Sequence, residues 1–253
     1  MVLALALAIA LQTTAPASGV TGVLKDEAGR PLARAKVLAC MTRVCLIGET
    51  GAAGRFSFSI DPPVDVVIKT EPDLAASPRS GASPRRGAAM MPVRLAERRV
   101  IDVGPVYVPN LPAGRPFGPG TGDPQTVQAG DGLQLTLSRK ALKPRPGDVI
   151  LELAARRLPA ARVPKYAALG GEEVIAVYAL HPFAAASATP IAVRATSSLP
   201  DGTRVNFRTI NEIDGTFSAP VPGQAARGYL ATDPGAGITE LTWLVISRPA
   251  RSR

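Results

Sequence analysis

The sequence contains few of the side chains on which enzymatic chemistry usually depends. Its 253 residues include one histidine, two cysteines and one tryptophan, and aromatic residues make up only 4% of the chain. A Ser-His-Asp or Cys-His mechanism would have to use His181, yet no G-x-S-x-G nucleophile motif is present. The simpler interpretation of His181 is an imidazole beside the turn at Pro182. The glycine stretches also lack the lysine of a phosphate-binding loop. We therefore expect a protein without catalytic activity or a cofactor.

Long hydrophobic runs are also missing, except at the start of the chain. Residues 1–11, MVLALALAIAL, are uncharged and apolar, and the small-x-small motif Ala15-Pro16-Ala17 follows. This pattern predicts a signal peptide over residues 1–17, and export to the periplasm, the outer-membrane surface or the medium. The run lacks preceding positive charges, so a retained N-terminal anchor is the alternative. No later window supplies the roughly 20 apolar residues of a membrane helix, so we expect no transmembrane segment after cleavage.

The two cysteines are close together in the sequence. Cys40 and Cys45 are separated by four residues, and in an exported protein such a pair favours a disulfide. Two unbonded thiols are the alternative. Two thiols and one histidine cannot complete a four-ligand zinc shell, so no metal site is expected from them.

Short apolar segments recur between turn signals along the whole chain, which is typical of an all-β protein. In RFSFSI, for example, Phe56, Phe58 and Ile60 alternate with polar residues, as in a half-buried antiparallel strand. A helical turn is conceivable only around residues 151–158, where prolines limit its length. We predict two antiparallel β-sandwich domains at residues 18–109 and 126–249, a mobile loop at 71–92 within the first domain, and a Pro- and Gly-rich linker at 110–125.

The first predicted domain carries a recognisable pattern in two stretches, VTGVLKDEAGRPLARAKV (residues 20–37) and TGAAGRFSF (residues 50–58). On these residues it resembles the carboxypeptidase regulatory-like domain, a transthyretin-like β-sandwich of exported bacterial proteins. The resemblance implies positive φ at Gly29 and Gly54 in turns, and a non-catalytic role. Arg34 departs from the pattern, since the family usually has glycine there. The second half is loosely similar to β-sandwich modules of bacterial surface proteins.

The charge balance is strongly basic, with a formal net charge of +9. An exported basic surface favours acidic polysaccharide, lipid phosphates or an acidic partner protein. Nucleic acid is not expected, because no recognised module or aromatic stacking residues accompany the cations. Solvated arginines that merely reflect composition are the alternative. The candidate basic contact surface comprises Arg139, Lys140, Lys143, Arg145, Arg156 and Arg157.

The aspartates stand mostly at turns, where an Asp before Gly is the ordinary turn residue. Calcium bound by loop carboxylates is the functional alternative, although no D-x-D-x-D run supports it. Trp243, in ITELTWLVI, has apolar neighbours on both faces. This predicts a central strand with the indole in the core rather than on a sugar-binding platform.

The function expected from the sequence is a structural or protein-interaction role at the cell envelope, with an envelope or surface protein as partner. A carbohydrate-binding module is one alternative, and the positive charge would suit acidic glycans. Accessory domains for a separate peptidase are the other.

Overall fold

The fold consists almost entirely of β-strands. The computed structural model describes residues 18–73, 85–118, 122–166 and 169–249. Within these ranges there is a 3-10 helix at Ala160–Arg162 and no α-helix, so the all-β prediction is confirmed. The predicted signal peptide, residues 1–17, lies outside the described residues.

Seven strands of the first half form two facing sheets. They are β1 (Gly19–Asp26), β2 (Lys36–Met41), β3 (Val44–Glu49), β4 (Arg55–Ser59), β5 (Val64–Lys69), β6 (Met90–Leu95) and β7 (Val100–Val108). One sheet has the order β4-β1-β7, with β1 antiparallel to β4 and parallel to β7. The other is antiparallel, with the order β3-β2-β5-β6. Phe56 and Phe58 on β4 are buried in the core, as their alternation predicts.

The predicted disulfide is confirmed. Cys40 on β2 and Cys45 on β3 are directly opposite each other in the strand register and are bonded. The turn between the strands consists only of Thr42 and Arg43. The bond therefore fixes a tight hairpin at the edge of the sheet.

Two segments expected to be loops contribute to the core instead. Strand β6 begins at Met90, inside the predicted loop 71–92, and Ala88 and Ala89 before it are also buried. Met90 and Met91 are both buried although they point to opposite faces of the strand, so β6 does not begin with the alternation that marks a half-buried strand. Residues 74–84 of that loop lie outside the described residues. In the predicted linker 110–125, Phe117 is 0% exposed and belongs to the core cluster of the second half, so this segment is more than a connection.

The second half is built on one large sheet of twelve strands. The strands are β8 (Arg115–Pro116), β9 (Gln125–Gly130), β10 (Leu133–Leu137), β11 (Leu142–Lys143), β12 (Glu152–Arg157), β13 (Glu173–His181), β14 (Ala185–Thr196), β15 (Arg204–Thr209), β16 (Val221–Ala226), β17 (Tyr229–Thr232), β18 (Ile238–Leu241) and β19 (Trp243–Arg248). Its main order is β8-β12-β13-β19-β15-β16-β17-β14-β10-β9, and β11 and β18 also pair with β14. Residues 151–158, where the sequence allows a helical turn, consist mostly of strand β12.

The sheet curls until strands near its two ends meet. A Cβ on Gly130 of β9 would lie only 2.7 Å from the carbonyl oxygen of Ala155 on β12. In the turn after β9, the Asp131 carboxylate accepts a hydrogen bond of 2.8 Å from the backbone N–H of Arg157. The second half is thus a nearly closed sheet, whose interior is filled by a hydrophobic cluster of its own.

The outer face of this sheet packs against the first half. Trp243 is 1% exposed and belongs, with Val245, to the same hydrophobic cluster as the core of the first half. The indole Nε1 donates a 2.7 Å hydrogen bond to the carbonyl oxygen of Ala88. Burial of Trp243 on a central strand is confirmed. However, Thr242 interrupts the strand, so Leu241 joins the interior cluster of the second half and not the face of Trp243.

Replacing Trp243 by alanine is expected to lower the free energy of unfolding by about 3–5 kcal/mol, because it opens a cavity between the halves. Trp243→Phe keeps much of the packing but loses the hydrogen bond to Ala88, so it should cost less. Urea unfolding of both variants checks this. A loss below about 1 kcal/mol for Trp243→Ala would contradict the buried position.

Arg34→Gly is expected to raise stability by about 1 kcal/mol, since Arg34 has φ 53° and a left-handed conformation strains any residue with a Cβ. Arg43→Gly is the control, because Arg43 lies in a turn without positive φ. The thermal unfolding temperature should rise for Arg34→Gly, and that of Arg43→Gly should fall or stay clearly lower. Equal effects would show that the backbone at residue 34 carries no strain.

Candidate functional site

A groove of about 760 Å³ lies between the two halves. Its walls are the strands β6 and β7, a segment of residues 159–166, here termed the strap, and a hairpin of residues 210–217 that follows β15. The site therefore combines parts that are far apart in the chain. A volume of this size falls in the range of small-molecule sites.

The first wall exists because β6 and β7 are edge strands. Each of them pairs on one side only, with β5 and β1 respectively. The apolar side chains of Met91, Val93, Ile101 and Val103 therefore line the groove along this open side of the first half.

The strap forms the second wall. It begins at Pro159, whose carbonyl oxygen accepts the backbone N–H of Arg162 at 2.7 Å and closes the 3-10 turn. At its end, the rings of Tyr166 and Phe217 pack in a T-shaped arrangement with 5.3 Å between centroids. The Tyr166 hydroxyl is buried without a hydrogen-bond partner in the described part of the chain, and burial raises its pKa. The strap also borders a smaller cavity of about 570 Å³.

The hairpin forms the third wall and is held in place by the first half. Gly215 has φ 76°, and a Cβ there would lie 3.0 Å from Val67 and 3.1 Å from Pro92. Only glycine permits this close approach. The buried Lys69 ammonium donates a 2.9 Å hydrogen bond to the carbonyl oxygen of Glu212 and forms an ion pair with its carboxylate.

Charges are distributed unevenly around the groove. Arg162 lies over the ring of Tyr107 at 4.4 Å from the centroid, and its Nη1 donates a 2.7 Å hydrogen bond to the Tyr107 hydroxyl. Lys165 is exposed. Neither cation forms an ion pair with a carboxylate of the described residues, whereas Arg94 pairs with Asp65. The groove thus has apolar walls along β6 and β7, and the strap carries two cations that form no ion pair with a carboxylate of the described residues.

Three of the six predicted basic residues hold the protein's own groups. Arg139 donates to the carbonyl oxygens of Phe117 and Ile150 at 2.6 and 3.0 Å. Arg145 pairs with Glu71 at 2.9 Å and more loosely with Asp148.

Arg156 binds the Glu27 carboxylate of the first half through two hydrogen bonds of 2.8 Å. Lys140, Lys143 and Arg157 are exposed, and Arg157 lies 6.0 Å from the ring centroid of Tyr178. None of the six lines the groove.

His181 is buried at the end of β13 and does not line the groove. Burial and the nearby positive charge of Arg85 lower its pKa, so the imidazole is neutral at pH 7. Its Nδ1 has no hydrogen-bond partner among the described residues. Arg85 itself forms an ion pair with Glu152.

The aromatic residues of the groove were not identified from the sequence. Tyr107, Tyr166 and Phe217 are dispersed along the sequence and belong to no common motif. The topology brings the three rings to one site. No local signal marks them, because their proximity depends on how the halves dock.

The comparisons with known proteins identify no family for this chain. No protein-family model matches the chain, and no curated protein sequence matches it. Among the described residues, no cluster of three or more metal-ligating side chains occurs. In the part of the chain that the structure describes, no helix is long and apolar enough to span a bilayer.

Glu240→Gln is expected to stabilise the protein progressively more as the pH rises from 4.5 to above 6. Burial, followed by repulsion from Glu212 and Asp214, raises the pKa of Glu240 from 4.5 to about 6. In this window the folded state binds more protons than the unfolded state, so this carboxyl lowers the free energy of unfolding as the pH rises. Urea unfolding at several pH values measures the difference between variant and wild type.

Glu97→Gln, which removes an exposed carboxylate between β6 and β7, controls for the loss of one negative charge. A constant difference between Glu240→Gln and wild type from pH 4 to pH 8 would contradict the raised pKa.

Proposed function

We propose that this is an exported, non-catalytic cell-envelope protein with an interaction role, and that the groove between its halves is its binding site. The observation that carries the proposal is the groove itself. It is concave, mostly apolar, and has a few polar groups at its rim, which are the usual properties of a binding site. The polar groups that converge there suit binding, since Arg162 and Lys165 offer hydrogen bonds and positive charge.

The disulfide and the resemblance of the first half support export. A Cys40–Cys45 bond is favoured in an oxidising compartment. Membership of the carboxypeptidase regulatory-like family is part of the proposal. Seven strands in two facing sheets, with positive φ at Gly29, Arg34 and Gly54, are compatible with that fold. In the namesake enzymes this domain performs no chemistry.

Carbohydrate binding is the second candidate, because Tyr107, Tyr166 and Phe217 gather in one groove. Sugars bind by stacking on free aromatic faces. One face of Tyr107 is covered by Arg162, and the rings of Tyr166 and Phe217 pack against each other. The groove therefore favours an apolar ligand over a neutral sugar. Acidic polysaccharide held by exposed cations alone should dissociate as salt is raised.

Site-specific photo-cross-linking in producing cells tests the proposal. A benzophenone amino acid at Val103 faces the groove, whereas one at Ser57 on β4 is exposed elsewhere. We expect one discrete adduct from position 103 and none from position 57. Mass spectrometry of the adduct then identifies it as protein, lipid or glycan.

A groove-filling substitution, Ile101→Trp, should abolish the adduct while the thermal unfolding temperature stays close to that of the wild type. Equal labelling from positions 103 and 57, or no adduct at either, would refute the groove as the binding site. Salt-resistant binding to one defined neutral glycan, lost in Ile101→Trp, would replace the interaction role with carbohydrate binding.

A further inference from the structure

The groove has the shape and lining of a site for an extended apolar chain. Its lining follows β7 from Ile101 to Tyr107, and the six residue-to-residue steps between them correspond to about 20 Å of strand. Met91 and Val93 of β6 add aliphatic surface beside this path. An elongated apolar molecule would therefore contact hydrocarbon along most of its length.

The charges of the groove favour a ligand with a negative end. Arg162 contacts Tyr107 near the C-terminal end of β7, and Lys165 follows three residues later on the strap. Across the groove, the Asp214 carboxylate accepts hydrogen bonds from the backbone N–H and the hydroxyl of Thr216. These bonds stabilise the turn of the hairpin. Two cations without an acidic partner among the described residues provide charge-assisted hydrogen bonds for a carboxylate.

An extended peptide fits the same walls less well. A peptide that adds to a sheet edge needs an unbroken row of N–H and C=O groups. Pro92 on β6 and Pro105 on β7 lack the N–H, and Gly104 with φ 68° interrupts the regular strand. Prolines and irregularities of this kind prevent strand addition at sheet edges.

We infer that the groove binds a single-chain anionic amphiphile, of which a long-chain fatty acid is the simplest example. The acyl chain lies along β6 and β7, and the carboxylate lies between Arg162 and Lys165. This inference rests on the proposed function, because it names the ligand class of the same groove.

Titration calorimetry of the full-length exported protein with dodecanoate, below its micellar concentration, tests the inference. Dodecanoate should bind with one site per chain, dodecanol more weakly, and acetate not measurably. Lys165→Gln and Arg162→Gln should each weaken dodecanoate binding by about tenfold, since each removes a charge-assisted hydrogen bond. Val103→Trp should abolish binding of both dodecyl compounds by filling the groove.

Lys140→Gln and Lys143→Gln are matched controls, because both lysines are exposed and neither lines the groove. Their affinities for dodecanoate should stay within about twofold of the wild type. Thermal unfolding of each variant monitors the fold. Lys165 is exposed, so its substitution remains informative even if Arg162→Gln unfolds through the loss of its contact with Tyr107.

Absence of dodecanoate binding would overturn the inference, as would equal affinity in the wild type, Lys165→Gln and Val103→Trp. A protein adduct from position 103 without dodecanoate binding would refute the fatty-acid ligand and leave the groove as a protein-binding site. Absence of both the adduct and dodecanoate binding would refute the ligand and the proposed function together.

Discussion

The architecture depends on the hydrophobic contact between the two halves, with Trp243 at its centre. An indole buried between a sheet of the first half and the large sheet of the second removes a large apolar area from water. Its N–H donates a hydrogen bond to the carbonyl oxygen of Ala88, so the buried indole nitrogen is satisfied. Without this contact, β5 and β6 on one side and β13 and β19 on the other would expose apolar faces.

Polar contacts around this core fix how the halves are oriented. Arg156 binds Glu27 with a bidentate geometry that is sensitive to direction, and Lys69 binds Glu212 on the hairpin. Such pairs contribute modestly to stability when they are partly exposed. Their main effect is to specify one arrangement of the halves, which the apolar contact alone would leave less defined.

The groove is a consequence of this arrangement. The open side of the first half, between β6 and β7, is covered only in part by the strap and the hairpin of the second half. Prolines on both edge strands prevent further strand pairing, so this side can remain open without promoting aggregation. Grooves at the junction of two structural units are frequent locations of binding sites in proteins, because loops from both units can supply specificity.

The sequence determined the local features of this protein. Alternation in RFSFSI predicts the half-buried strand β4, the spacing of Cys40 and Cys45 predicts a hairpin disulfide, and apolar residues around Trp243 predict a central strand. Each of these signals acts over a few residues. Tertiary structure alone decided the burial of β6 and Phe117, the near closure of the large sheet, and the meeting of Tyr107, Tyr166 and Phe217. Those features depend on contacts between distant segments, and a pattern of period two carries no information about which distant strand or loop will cover an exposed face.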